Sequence, residues 1–167
     1  MNSTKQRIKT DAINLPLTHE NLVQIIEQTM VIYAELTAYS CLGQSITFAQ
    51  VDKKSATLAN YLINDAGLKA GDRVAIQLPN LIQYPIAAYA VIRAGLVLVN
   101  INPLYTAREM QHQFSDSGAK ALIILDEMLP KLEHIIESTG IETVISTKAM
   151  DLIKPSPTIN THDLPYL

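Results

Sequence analysis

The chain has no tryptophan, two phenylalanines and one cysteine, Cys41, among its 167 residues. A lone cysteine excludes an internal disulfide framework and a thiolate metal cluster, and it suits a reducing compartment. The expected location is the cytoplasm, in the bulk or peripheral to the inner membrane face. Charge is also sparse: 17% of residues are Asp, Glu, Lys or Arg, with 13 basic against 16 acidic and a net charge of −3. The basic residues are dispersed apart from Lys5, Arg7 and Lys9, so no electrostatic footprint for nucleic acid exists. Long apolar runs are missing as well. Arg93 and Asn100 interrupt the best stretch before it reaches the roughly 18 residues that a membrane span requires. The opening MNSTKQRIKTDAINLPLT is polar and basic with no apolar run behind it, and is not read as a secretory signal. No Gly-x-Gly-x-x-Gly and no Gly-x-x-x-x-Gly-Lys-Ser/Thr occurs, so the usual phosphate cradles are absent. His19, His112, His134 and His162 are scattered without the spacing of metal ligands.

What is present is an ordinary globular composition, 48% hydrophobic, with its densest segment at Gly71 to Thr106. Within it Val74 to Leu78 is too short for a helix and stops at Pro79, which cannot extend a ladder. Asn80 is placed to cap a helix whose body, Ile86 to Ile92, is apolar nearly all round and so expects cover on both sides. Pro85 predicts a bend or a late start. Gly95 ends this helix, and Leu96 to Ile101 is a second strand closed by Asn102-Pro103. Two strands joined by a helix imply a right-handed parallel crossover.

The flanks extend the pattern. Helical spacing of Leu22, Ile25 or Ile26, Thr29 or Met30, and Tyr33 predicts a helix from 19 to about 36, capped by Thr18. A small hairpin over 38–46 turns at Gly43-Gln44. The capping box Thr47-Phe-Ala-Gln50 opens a helix burying Val51, Ser55, Leu58, Ala59, Leu62 and Ala66, and Gly67 ends it. A second capping box, Thr106-Ala-Arg-Glu109, starts a helix carrying Met110 and Phe114 inward as far as Gly118. Ala121 to Leu125 is a strand, Asp126 caps a helix presenting Leu129, Leu132, Ile135 and Ile136, and Gly140 ends that helix before a last strand at 142–146. The fold class is therefore α/β: a mostly parallel sheet of about four strands with helices on both faces, plus a small N-terminal helix and hairpin. Residues 1–17 read as an irregular lead, 18–150 as one α/β unit, and 151–167, with Pro155, Pro157 and Pro165, as a linker.

Asn80 and Asn102 lie just past the carboxyl ends of predicted strands, where open α/β sheets bind ligands. A helix cap and an Asn-Pro turn explain both without a ligand. Tyr84 and Tyr89 fit core or interface packing. No catalytic, cofactor-binding or metal-binding residue is assigned.

Residues in a fixed order carry a further signal: Ile46-Thr47-Phe48, Gly67 through Ile76, Leu78-Pro79-Asn80, Arg93-Ala94-Gly95, and Val99 through Glu109. This succession resembles the N-terminal part of the AMP-forming acyl-CoA synthetases over about residues 20 to 150. The stretches 81–85 and 100–105 look most like the bacterial long-chain fatty-acid CoA ligases. The resemblance implies a parent reaction in which a fatty acid attacks ATP, with magnesium, to give an acyl adenylate that CoA then converts to a thioester. The family's phosphate loop, adenylate-pocket motif, ribose-binding Asp and C-terminal Lys have no counterpart here. The implied reading is an N-terminal scaffold piece, inactive alone and binding no cofactor itself. Its expected partners are the remainder of its own enzyme and, through exposed apolar surface, a second copy. The alternative is an α/β interaction module without catalysis.

Overall fold

The computed structural model describes residues 21–152. The chain enters through helix α1 (Leu22–Ile32) and a hairpin of β1 (Thr37–Cys41) and β2 (Gln44–Thr47). Helix α2 (Phe48–Asn64) follows, then β3 (Arg73–Gln77), α3 (Gln83–Arg93), β4 (Val97–Asn100), α4 (Ala107–Ser117), β5 (Ala121–Leu125), α5 (Leu129–Glu133) and β6 (Thr143–Thr147). The last four strands form one parallel sheet in the order β4-β3-β5-β6, and the hairpin stands apart as an antiparallel pair. The expected α/β architecture is thus observed.

Strand order decides where the helices go. The step from β3 to β4 moves toward one edge of the sheet, whereas β4 to β5 and β5 to β6 move toward the other. Right-handed crossovers then place α3 on one face and α4 and α5 on the opposite face. Every residue of β5 is buried, as double cover requires. Ile76, Ile123 and Ile145 are in register and face the side of α2 and α3, where Leu58, Ile86 and Ala87 line the same groove. Leu122 and Ile124 face the other way and are fully buried in the core that Met110 and Phe114 of α4 share.

Both capping boxes form. The Thr47 side chain accepts from the Gln50 N–H while Gln50 Oε1 accepts from the Thr47 N–H, and Thr106 and Glu109 repeat the exchange. Helix α2 ends at Asn64 with its cap at Asp65, three residues before the stop expected at Gly67, and Leu68 is buried and sends its N–H to the Leu62 carbonyl. The predicted strand at 74–78 lies one residue earlier.

Other expectations are corrected. Helix α1 starts at Leu22 because the Asn21 side chain takes the Gln24 N–H, and it ends by Ile32, before the turn into β1; Thr18 lies outside the described residues. Ile26 and Met30 are the residues it buries, while Leu22 and Tyr33 stay exposed. The hairpin turns at Leu42-Gly43, both with positive φ (50° and 74°), and Gln44 is already in β2. Asn80 does not cap α3: the helix begins at Gln83 after Ile82, with no side-chain cap, which is the late start that Pro85 predicted. The helix expected after Asp126 is broken into a 3-10 turn (Asp126–Met128), α5 and a second 3-10 turn (Ile136–Ser138). Asp126 makes no cap bond, Pro130 removes a donor early in α5, and Gly140 stands beyond the broken helix without a positive φ.

Candidate functional site

Because the connection after β3 leads to one face and those after β4 and β5 lead to the other, the carboxyl ends of these three strands form a topological switch point, the place where open α/β sheets bind ligands. The segments leaving those ends start at Leu78, Ile101 and Asp126. Gln77, the last residue of β3, is fully buried, and its Nε2 donates to the Asn102 carbonyl (3.1 Å), tying the β3 end to the β4 loop. Asn102 in turn closes an Asx turn, its Oδ1 accepting from the Leu104 N–H at 2.9 Å. The expected Asn-Pro turn is therefore present.

Between the hairpin and the start of α3 lies a cavity of about 300 Å³ lined by Tyr39, Ser40, Cys41, Asn80, Leu81, Ile82, Tyr84, Pro85 and Tyr89. The hairpin supplies one wall and the start of α3 the other. Tyr39 and Tyr89 share a 2.6 Å hydroxyl hydrogen bond, and burial, with that bond second, pushes the Tyr39 phenol well above its ordinary value. Tyr84 donates to Asn100 Oδ1 (2.9 Å), and the Cys41 thiol points at the Asn80 carbonyl (3.3 Å). Tyr84 and Tyr89 are half-buried packing residues, as expected, but each also spends its hydroxyl on a specific partner.

Two buried oxygens in this region lack a partner: Gln77 Oε1 and Asp126 Oδ1. Both are acceptors, and Asp126 meets only the distant Lys148 ammonium at 3.9 Å through its other oxygen. Phosphate oxygens need donors, so this pair does not fit a nucleotide triphosphate. Among the described residues, no group of three or more His, Cys, Asp and Glu side chains could hold a metal ion. No helix among them is long and apolar enough to cross a membrane. His112 and His134 lie apart and exposed. Sequence reasoning passed over Gln77, which sits inside an apolar run, and Tyr39, whose partner is 50 residues away.

The match to known proteins runs along this same stretch of chain. Residues 26–163 match the family described as AMP-binding enzyme. The chain belongs to that family. It is 42% identical over 136 residues to the long-chain-fatty-acid–CoA ligase of Escherichia coli O6:H1, covering 81% of this chain and 24% of that protein. Among solved structures it is similar to the long-chain-fatty-acid–CoA ligase of Archaeoglobus fulgidus (27% identity, TM-score 0.68, covering 75% of this chain and 27% of that one). It is similar also to an anthranilate CoA ligase solved with anthranoyl-AMP (26% identity, TM-score 0.72, covering 79% and 25%). The chain thus spans about a quarter of the length of the curated relatives it matches.

Proposed function

We propose that this AMP-binding-family chain is the N-terminal scaffold of a long-chain fatty-acid CoA ligase. In the full enzyme a fatty-acid carboxylate attacks the α-phosphorus of ATP, releasing pyrophosphate and leaving an acyl adenylate. The CoA thiol then attacks the acyl carbon, and AMP leaves. ATP, magnesium and CoA are handled by the part of the enzyme that this chain does not span. The scaffold's own contribution is a parallel sheet whose loops after β3 and β4 are held in place by Gln77, Asn102 and Tyr84. The observation that carries the reading is the 42% identity sustained over 136 residues to a ligase of that specificity.

Charge on a transferring nucleotide is stabilised by donors, a cation and a ribose anchor assembled in one site. The 167 residues alone are therefore expected to give no fatty-acid-dependent pyrophosphate release and no saturable ATP binding at millimolar nucleotide. The same residues continued through a phosphate loop and a C-terminal lysine domain are expected to give both. Pyrophosphate release and calorimetry on the two proteins, with a long-chain acid, ATP, magnesium and CoA, decide it. Turnover by the short chain defeats the scaffold reading, and an inactive long chain favours the interaction module.

A further inference from the structure

The cavity of about 300 Å³ between the hairpin and the start of α3 is walled by Leu81, Ile82, Pro85 and the side chains of Tyr39, Tyr84 and Tyr89. That volume is at the lower end of the roughly 300–1,000 Å³ range of small-molecule pockets. Among the described residues, no charged side chain lines it. Most of its hydroxyl and thiol hydrogens are spent: Tyr84 on Asn100 Oδ1, Cys41 on the Asn80 carbonyl, and Ser40 in an exchange with Ser45. The Tyr39–Tyr89 pair is the exception. Two phenols carry two hydroxyl hydrogens, and the single 2.6 Å bond between them uses one. Neither hydroxyl has a further partner among the described residues, so one O–H is left to donate. Burial, which raises the Tyr39 phenol above its ordinary value, keeps that hydrogen in place well past neutral pH.

We propose that this cavity binds a small, neutral, mostly apolar molecule whose one hydrogen-bond acceptor, an ester or ketone carbonyl, takes the spare tyrosine O–H. The lining chooses this class. Apolar walls favour apolar surface taken from water. A carboxylate, a fatty acid's included, is rejected, because a charge removed from water with no cation to meet it returns to solvent. A plain hydrocarbon of the same size fits the walls but leaves the tyrosine O–H stripped of water and unpaired. A carbonyl on an apolar body satisfies both requirements. Binding of this kind follows from the lining alone, whether or not the full enzyme is a ligase.

Cys41, the only cysteine of the chain, lines the same cavity and reports on its occupancy. On the unaltered chain, the rate at which methyl methanethiosulfonate modifies Cys41 is measured with methyl benzoate, with benzoate and with propylbenzene. Methyl benzoate should slow the reaction saturably and benzoate should not, while propylbenzene should bind about fivefold more weakly for want of an acceptor. Removing both hydroxyls (Y39F with Y89F) should bring the two neutral probes level. Y89F alone should keep the ester preference, because the Tyr39 O–H is then unspent. L81W, which fills the cavity, should remove the protection, with circular dichroism reporting that it folds. The proposal is overturned by no saturable protection from methyl benzoate, by equal protection from benzoate, or by equal affinity for propylbenzene. Undiminished protection in folded L81W overturns it too, since the probe then sits elsewhere. The three probes are compared on the unaltered chain, so they decide even where a variant does not fold.

Discussion

Arg93 shows how much one side chain can hold. Its guanidinium is 13% exposed, and from the end of α3 it donates to the Asp52 carbonyl (3.0 Å), the Ser55 hydroxyl (3.1 Å) and Asp52 Oδ1 (2.8 Å) of α2. Glu27 of α1 lies at 3.4 Å. A charge this buried is tolerated because its donors are used. Arg93→Ala should cost about 2 kcal/mol, the range for charged hydrogen bonds lost with their acceptors left behind, read as a lower urea midpoint. Asp72 makes a different prediction. The Lys120 ammonium at 2.8 Å, and after it the Lys69 N–H, hold its carboxyl below the ordinary 3.8, while Lys120 is held above its ordinary 10.5. A lowered acid pKa adds stability above the unfolded value and loses it as pH falls through the folded one; a raised base pKa adds stability below the unfolded value and loses it as pH rises through the folded one. The pair therefore stabilises between about pH 4 and pH 10. Asp72→Asn should remove its share of the loss on acidification, and identical acid unfolding profiles would show that it has none.

At the scale of elements, helix α3 is the tightest fit. Pro85, Ile86, Ala87, Ala88, Ala90 and Val91 are all buried, and the run of alanines lets the helix sit close to both α2 and the sheet. Ala88→Trp should destabilise by roughly 1–3 kcal/mol through overpacking, visible as a lower denaturant midpoint; an unchanged midpoint would mean that the position has room. The same helix shows why boundaries are harder to read than existence. Its apolar body was legible from Ile86 to Ile92. Its start was not, because Asn80 has the chemistry of a cap, whereas the Asn80 to Ile82 segment lines the cavity beside the hairpin. Gly95 was legible for a local reason: its φ of 70° is open to glycine and strained for other residues. Residues 126–138 defeated the periodicity, since four apolar residues at helical spacing are presented equally well by two 3-10 turns around a short helix.

At the scale of the whole molecule, Leu22, Ile25, Val31, Ile32, Tyr33 and Leu36 are exposed on and just after α1. Apolar surface gathered on one element is unusual on a monomer. The isolated chain should self-associate with rising concentration and bind an apolar dye; a monomer at every concentration in sedimentation, without dye binding, would count against an interaction surface there. Local signals were sufficient for the class of fold: short apolar runs ended by proline, capping boxes at Thr47 and Thr106, and stop glycines at Gly95 and Gly118 depend only on residues within a few positions of one another. The order of the family's motifs was likewise written along the chain, and the membership follows from it. Strand order was not. Nothing local says that β5 pairs with β3 instead of with β4, and that choice alone sends the loops after β3 and β4 to opposite faces and makes a switch point of the strand ends. The burial of Gln77 beside Asn102 and the pairing of Tyr39 with Tyr89 belong to the same class of fact. Each joins or separates residues by the path of the chain in space, because burial and hydrogen bonding are properties of the packed whole, whereas caps, breaks and periods are properties of neighbours in sequence.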